Sequence, residues 1–195
     1  QLQLEFVLPP TRPMFASRSD RLLIDLLEYP GPGGLLHRLK AEGLAHGVSA
    51  WLWERTPAYG SLWLTLDLTP AGQREQARAL ALVFGWIDFL RQGPFPQAFF
   101  DDRARIGRLQ ETHGDRGEGS ALAVRLANQA LFYPLAVAER AGTAWGAPDE
   151  AAWQRLLDPT GQLLKVVGWE ELAKDYIGIA QAKRGGTKVL LFLVF

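Results

Sequence analysis

Residues 31–44 read Gly31-Pro32-Gly33-Gly34-Leu35-Leu36-His37-Arg38-Leu39-Lys40-Ala41-Glu42-Gly43-Leu44, and a few residues later comes Val48-Ser49-Ala50-Trp51-Leu52-Trp53. A Gly/Pro-rich turn feeds a short helix whose apolar positions are Leu35, Leu36 and Leu39, and Gly43 stops it. The aromatic and aliphatic run that follows reads as a strand. The stretch therefore describes a helix docked against a strand through a tight glycine corner.

The pattern extends in both directions. Leu2-Gln3-Leu4-Glu5-Phe6-Val7-Leu8 alternates like a strand and ends at Pro9-Pro10, which cannot continue a ladder. Ser17 to Leu27 reads as a helix with Ser17 as N-cap, Asp20 near the positive end of its dipole, and an apolar face of Leu22, Leu23, Leu26 and Leu27. Tyr29-Pro30-Gly31-Pro32 breaks it. Two strands at about 46–55 and 60–68 flank a turn at Thr56-Pro57-Ala58-Tyr59. Leu62, Leu64, Leu66 and Leu68 alternate with Trp63, Thr65 and Asp67, which predicts one buried and one partly wet face. The short connection predicts antiparallel pairing.

Thr69-Pro70 places a capping threonine before a proline at the first helical position. A helix from Gln73 to Arg91 then turns apolar on all sides, through Leu80, Leu82, Val83, Phe84, Trp86, Ile87, Phe89 and Leu90, which predicts an interior position. Further helices are expected at Gln97–Glu111, Ser120–Phe132, Leu135–Ala141 and Asp149–Leu157, with a loop from His113 to Gly119. Trp169–Ala182 is a weaker helical candidate, and Val189–Phe195 reads as a strand apolar on both faces. The order of elements predicts one α+β domain over residues 1–195, with a two-layer build and a mixed, mostly antiparallel sheet covered by helices on one face.

Composition narrows the function classes. The 21 basic and 21 acidic residues balance, so no global field recruits nucleic acid or an anionic membrane. With no cysteine there are no disulfides or thiolate metal sites. The apolar runs fall short of the ~20 residues that span a bilayer. Gln1 opens directly on a strand pattern, which reads as a piece of a longer, multi-domain chain.

The three histidines, His37, His46 and His113, show no metal-ligand spacing; a site at His37 and His46 would have to borrow Glu42. Asp101-Asp102 and Glu170-Glu171 are adjacent on helices and diverge, so they make poor acid/base dyads. Pro32 removes a backbone donor from the glycine corner and no Lys-Ser/Thr follows, which excludes a phosphate cradle. No Gly-x-Ser-x-Gly elbow surrounds a serine. Trp51, Trp53 and Trp63 on adjoining strands have two readings, a packed cross-strand cluster or an exposed aromatic wall.

The corner segment GPGGLLHRLKAEGL resembles the GPGSLLxxLKxKGW segment of the pitrilysin and insulin-degrading-enzyme metalloproteases. Asp67-Leu68-Thr69-Pro70-Ala71-Gly72 is similar to that family's DLTxxG, Trp86-Ile87-Asp88-Phe89-Leu90-Arg91-Gln92-Gly93-Pro94 to its YIxxLRxxGP, and Phe132-Tyr133-Pro134-Leu135 to its YYPLE. The matched blocks span about residues 2–140.

The resemblance implies the metallohydrolase fold of the mitochondrial-processing-peptidase type. It also implies the second, non-catalytic domain, which walls a chamber and holds peptide. In the family, zinc and catalysis belong to the first domain through His-x-x-Glu-His, a motif missing from this chain. The expected cofactor is thus none in this segment and zinc in the parent enzyme. The expected partners are a peptide substrate and the catalytic domain of the same chain or a homologous subunit. The Ala-, Leu- and Arg-rich composition suits a bacterial protein, cytoplasmic or periplasmic, and the peptidase of pyrroloquinoline quinone biosynthesis is one member to which the chain would correspond. The other reading is a stand-alone inactive subunit of the same fold.

By the same resemblance, a peptide-binding exosite falls on Pro30 and Gly31 before the helix and on Val48, Ser49 and Ala50 on the strand. The family carries an acidic residue where this chain has Pro30, so the amino-terminal contact is lost unless Glu28 supplies it. An ordinary paired strand is the competing account of Val48–Ala50.

Overall fold

A computed structural model describes residues 1–56, 58–113, 119–141, 145–158, 165–166 and 189–194, with side chains described outside 54–56, 165–166 and 189–194. The molecule is an α+β fold of helices and one mixed sheet. In chain order the elements begin β1 (Leu2–Leu8), a 3-10 turn (Arg12–Met14), α1 (Ser19–Leu27), α2 (Leu35–Ala41), β2 (Ala45–Thr56) and β3 (Tyr59–Leu68). There follow α3 (Pro70–Arg74), α4 (Gln76–Gln92), α5 (Gln97–His113), α6 (Gly119–Ala130), α7 (Leu135–Ala138), α8 (Glu150–Leu157), β4 (Lys165–Val166) and β5 (Val189–Val194).

The sheet order is β2-β3-β1-β5-β4. β2–β3, β3–β1 and β5–β4 are antiparallel, and β1–β5 is parallel. The alternation read from β1 holds residue by residue: Leu2, Leu4, Phe6 and Leu8 are buried while Gln3, Glu5 and Val7 are half-buried. On β3, Leu62, Leu64, Leu66 and Leu68 face the same core. Leucines of α1 and α2, Ala79, Val83 and Leu90 of α4, and Trp153, Leu156 and Leu157 of α8 complete that core.

The glycine corner is welded from two sides. Gly43 takes a φ of 67°, the left-handed conformation that ends α2 without a Cβ penalty. Thr69 then clamps the following residues: its N–H donates to the Leu44 carbonyl at 3.0 Å and its hydroxyl to the Gly43 carbonyl at 2.6 Å. The same hydroxyl oxygen accepts the Gly72 N–H at 2.9 Å, capping α3 as its sequence position predicts. Thr69→Ala removes the cap and the hydroxyl bond to Gly43, and leaves the main-chain bond to Leu44. It should cost about 1–2 kcal/mol, read as a lower urea midpoint, whereas Thr69→Ser should retain most of the stability. An unchanged midpoint in the alanine variant would show that the clamp carries no energy.

Three sequence expectations are corrected. Ser17 does not cap α1: its hydroxyl lies 3.2 Å from the Met14 carbonyl and 2.9 Å from the Ser19 hydroxyl. Arg18 sits in the left-handed region (φ 53°), and the helix starts only at Ser19. The helix after Thr69 is not continuous, because Glu75 (φ −109°, ψ 40°) separates α3 from α4. The reason is that α3 is fixed by Gly72 against Leu44, while α4 must aim Ala79, Val83 and Leu90 into the core. Nor is α4 buried all round. Its outer side carries Phe89, 63% exposed and stacked on Trp86.

The pair β2–β3, the capped start at Thr69, α5, α6, α7 and α8 all fall where the sequence places them, within a residue or a few. Asp149 caps α8 by accepting the Ala152 N–H at 2.8 Å. β5 covers the predicted terminal strand and pairs with β1. The Trp169–Ala182 candidate, Glu170-Glu171 and the loop residues 114–118 lie outside the described residues.

Candidate edge-strand site

The corner positions the end of α1 against β2. Gly34 N–H donates to the Gly31 carbonyl at 3.0 Å, closing a turn around Tyr29. A Cβ on Gly34 would strike the Tyr29 carbonyl, so the corner is as tight as its composition implies. The Tyr29 ring is held edge-on to Phe99 of α5 at 5.5 Å. Pro30 is exposed and Gly31 half-buried in this turn.

β2 is the terminal strand of the sheet, with β3 on one side and, among the described residues, no strand on the other. Its outer edge can be assigned from one bond. The Ala50 N–H donates to Glu28 Oε1 at 2.7 Å rather than to β3, although the two residues are 22 positions apart. Backbone groups alternate sides along an antiparallel strand. Val48, Ala50 and Leu52 therefore present their N–H and C=O groups outward, and Ser49 and Trp51 present theirs to β3. Of the five residues singled out from sequence, Pro30 and Gly31 lie in the turn after Glu28, while Val48 and Ala50 supply outward main-chain groups. Ser49 contributes its exposed side chain only.

Glu28, raised from sequence only as a substitute for an acid at position 30, is the group that reaches the edge. Its place as the last residue after a leucine-rich helix is visible in the sequence. That its carboxylate meets Ala50 depends on the angle at which α1 crosses β2.

Trp51 and Trp63 lie on the face of the β2–β3 pair opposite the buried Leu62 and Leu64. Trp51 and Trp63 are direct cross-strand partners, stacked with centroids 6.2 Å apart and planes 5° from parallel. Trp51 is 40% and Trp53 57% exposed. Both sequence readings of the cluster thus describe part of it, a packed pair whose outer member is open to solvent.

The acidic candidates are otherwise occupied. Glu42 is bound by Arg38 at 2.6 Å and by Arg78 of α4 at 2.8 Å, which ties α2 to α4. The Arg38 hydrogen bond, with the charge of Arg78 beside it, holds the Glu42 carboxyl below its ordinary value. His37, His46 and His113 are all exposed. Among the described residues, no group of three or more His, Asp or Glu could hold a metal ion. Asp101 accepts from Gln97 at 2.8 Å and Asp102 pairs with Arg105, so the two acids serve separate partners. A cavity of about 420 Å³ is lined by Phe6, Leu8, Leu27, Phe84 and Leu157. Its charged lining residues, Asp88 and Arg91, are paired to each other.

No family model matches the chain. Its homologues are nonetheless proteases of the pitrilysin family. Insulin-degrading enzyme-like 1, peroxisomal, of Arabidopsis thaliana is 32% identical over 109 residues, covering 56% of this chain and 11% of the relative. Protease 3 of Escherichia coli is 28% identical over 109 residues, covering 54% of this chain and 11% of the relative. The chain thus spans only a small part of the length of the curated relatives it matches. Among solved structures, pitrilysin superposes with a TM-score of 0.72 at 21% identity, covering 80% of this chain and 18% of that one.

Proposed function

We propose that this homologue of part of the pitrilysin-family proteases is the non-catalytic, chamber-forming and peptide-holding domain of a bacterial zinc metalloendopeptidase. On this reading the fold is the two-layer metallohydrolase type, zinc and chemistry belong to a catalytic domain of the same chain or a homologous subunit, and this domain anchors the peptide. The observation that carries the reading is the outer edge of β2, set beside the glycine corner through which the chain resembles these proteases. An edge strand recognises extended peptide through main-chain hydrogen bonds, which do not read side chains and so suit a site that must accept many sequences. Service to pyrroloquinoline quinone biosynthesis would be one instance of such peptide holding.

Glu28 fits the role. It occupies the Ala50 N–H, the donor at the middle of the edge, and keeps it satisfied when no peptide is bound. A guest strand along Val48–Leu52 replaces that carboxylate with its own carbonyl, leaving a negative charge beside the edge for the guest's ammonium end. This is the contact that Pro30 cannot make.

The test is anisotropy of a fluorescein-labelled nine-residue peptide rich in valine and threonine. Val48→Pro removes one outward N–H and leaves the β2–β3 ladder intact, a placement edge strands tolerate. It should weaken binding by about 3- to 10-fold, the worth of one hydrogen bond, with an unchanged melting curve. Unaltered affinity in a folded variant, or chelator-sensitive hydrolysis of the peptide by this chain, would overturn the reading.

A further inference from the structure

We propose that the cavity lined by α1, α4, α8, β1 and β3 binds a neutral aliphatic acyl compound, such as an ester of a medium-chain carboxylic acid, whose carbonyl oxygen accepts from Arg91. The site uses none of the β2 edge, so it stands or falls apart from the peptide-holding reading.

Close packing makes a void of this size unusual. Protein interiors leave few gaps larger than a water molecule, and a cavity of roughly 150 Å³ already holds a benzene ring. At about 420 Å³ this one exceeds a single ring and lies in the size range of small-molecule pockets. Its inner wall is leucine from four elements: Leu8 on β1, Leu62 on β3, Leu23 and Leu27 on α1, and Leu156 on α8. All five are buried. Aliphatic walls without a polar group favour an alkyl chain and leave nothing for water to bond.

α4 supplies the polar end. Phe84, Ile87, Asp88 and Arg91 recur at helical spacing along the cavity, in a stripe beside the Ala79, Val83 and Leu90 that pack into the core. These four lining residues are half-buried. Gly85, next to them, is exposed, and a Cβ there would meet nothing within 4 Å, which puts the opening along this helix.

The hydrogen bonds at the opening choose the head group. Asp88 accepts on both oxygens, from Arg91 on Oδ1 and from the Gln92 Nε2–H on Oδ2 at 2.6 Å. Arg91 carries five N–H donors and, among the described residues, donates only to Asp88. Donors are to spare and the acceptor is taken, so the fitting ligand atom is an oxygen. Asp88 already balances the guanidinium and would repel a second anion beside it, which favours a neutral carbonyl over a carboxylate. An ammonium head would face the like charge of Arg91 and bring no acceptor.

Titration calorimetry of the 195-residue chain with methyl octanoate, octanoate and octylammonium tests this. The ester should bind tightest and octylammonium weakest. Arg91→Met keeps an apolar stem and removes the donors; it should weaken ester binding about 3- to 10-fold, the worth of one hydrogen bond. Leu156→Trp takes volume from the cavity and should weaken it about 5-fold or more. Methyl NMR of the unaltered chain gives a readout that needs no variant to fold: the ester should shift the signals of Leu27 and Leu62 and leave Leu35 and Leu39 of α2 in place. Absence of ester binding, tighter binding of octanoate or octylammonium, ester affinity unchanged in folded Arg91→Met or Leu156→Trp, or shifts confined to residues outside the cavity wall would each overturn the proposal. None of these results bears on the β2 edge, whose test is Val48→Pro.

Discussion

Trp153→Ala should lower the thermal midpoint of this protein by roughly 10 °C, because deleting a fully buried tryptophan costs about 3–5 kcal/mol. Among the described residues Trp153, on α8, is the largest completely buried side chain, and it stands edge-on to Phe95 at 6.0 Å. Its loss would open a cavity where α8 meets the α4–α5 connection. Its Nε1 is buried with no partner among the described residues. The indole is therefore held for its volume, and Trp153→Phe should cost much less than the alanine variant because it removes an unsatisfied donor along with some of the ring. A phenylalanine variant as unstable as the alanine one would refute this account of the site.

Gly72→Ala should also destabilise strongly, by about 3 kcal/mol, the upper part of the usual range for overpacking. The sign is what makes the experiment informative. Glycine inside a helix ordinarily costs up to about 1 kcal/mol relative to alanine, so the substitution would be expected to help. Here a Cβ would overlap the Leu44 carbonyl oxygen, the atom that accepts the Thr69 N–H. Either α3 moves off the corner or the Leu44–Thr69 bond breaks, and both loosen the junction that sets Ala45 opposite Leu68. Gly85→Ala in α4 is the control: a Cβ there meets nothing within 4 Å, so that variant should be stabilised by about 0.5–1 kcal/mol. Guanidinium unfolding of both variants measures the contrast, and two shifts of the same sign would refute the packing argument.

The two glycines show where reading from sequence stops. Both sit in helices, Gly72 in the capped first turn of α3 and Gly85 in the interior of α4. The clash that decides the sign at Gly72 comes from Leu44, which is remote from it in sequence. Glu75 follows the same logic. The apolar pattern from Leu80 to Leu90 runs on as if the helix were continuous, yet the direction of α3 is already fixed by the corner. Ser17 is the converse case, a residue of the right type for a cap whose hydroxyl is engaged by Met14 and Ser19.

What the sequence determined by itself is whatever depends on neighbours a few residues away. The period of two set β1 and β3 and their buried faces, Thr69-Pro70 set a helix start, Gly43 set a stop, and the corner motif pointed to the family. The tertiary structure alone decided the chemistry of the edge. It placed the Glu28 carboxylate on the Ala50 N–H, turned the main-chain groups of Val48 and Leu52 outward and those of Ser49 toward β3, and left Trp51 partly exposed. Those outcomes depend on strand register and on the angle between α1 and β2, and both are set by packing over distances at which sequence spacing carries no signal.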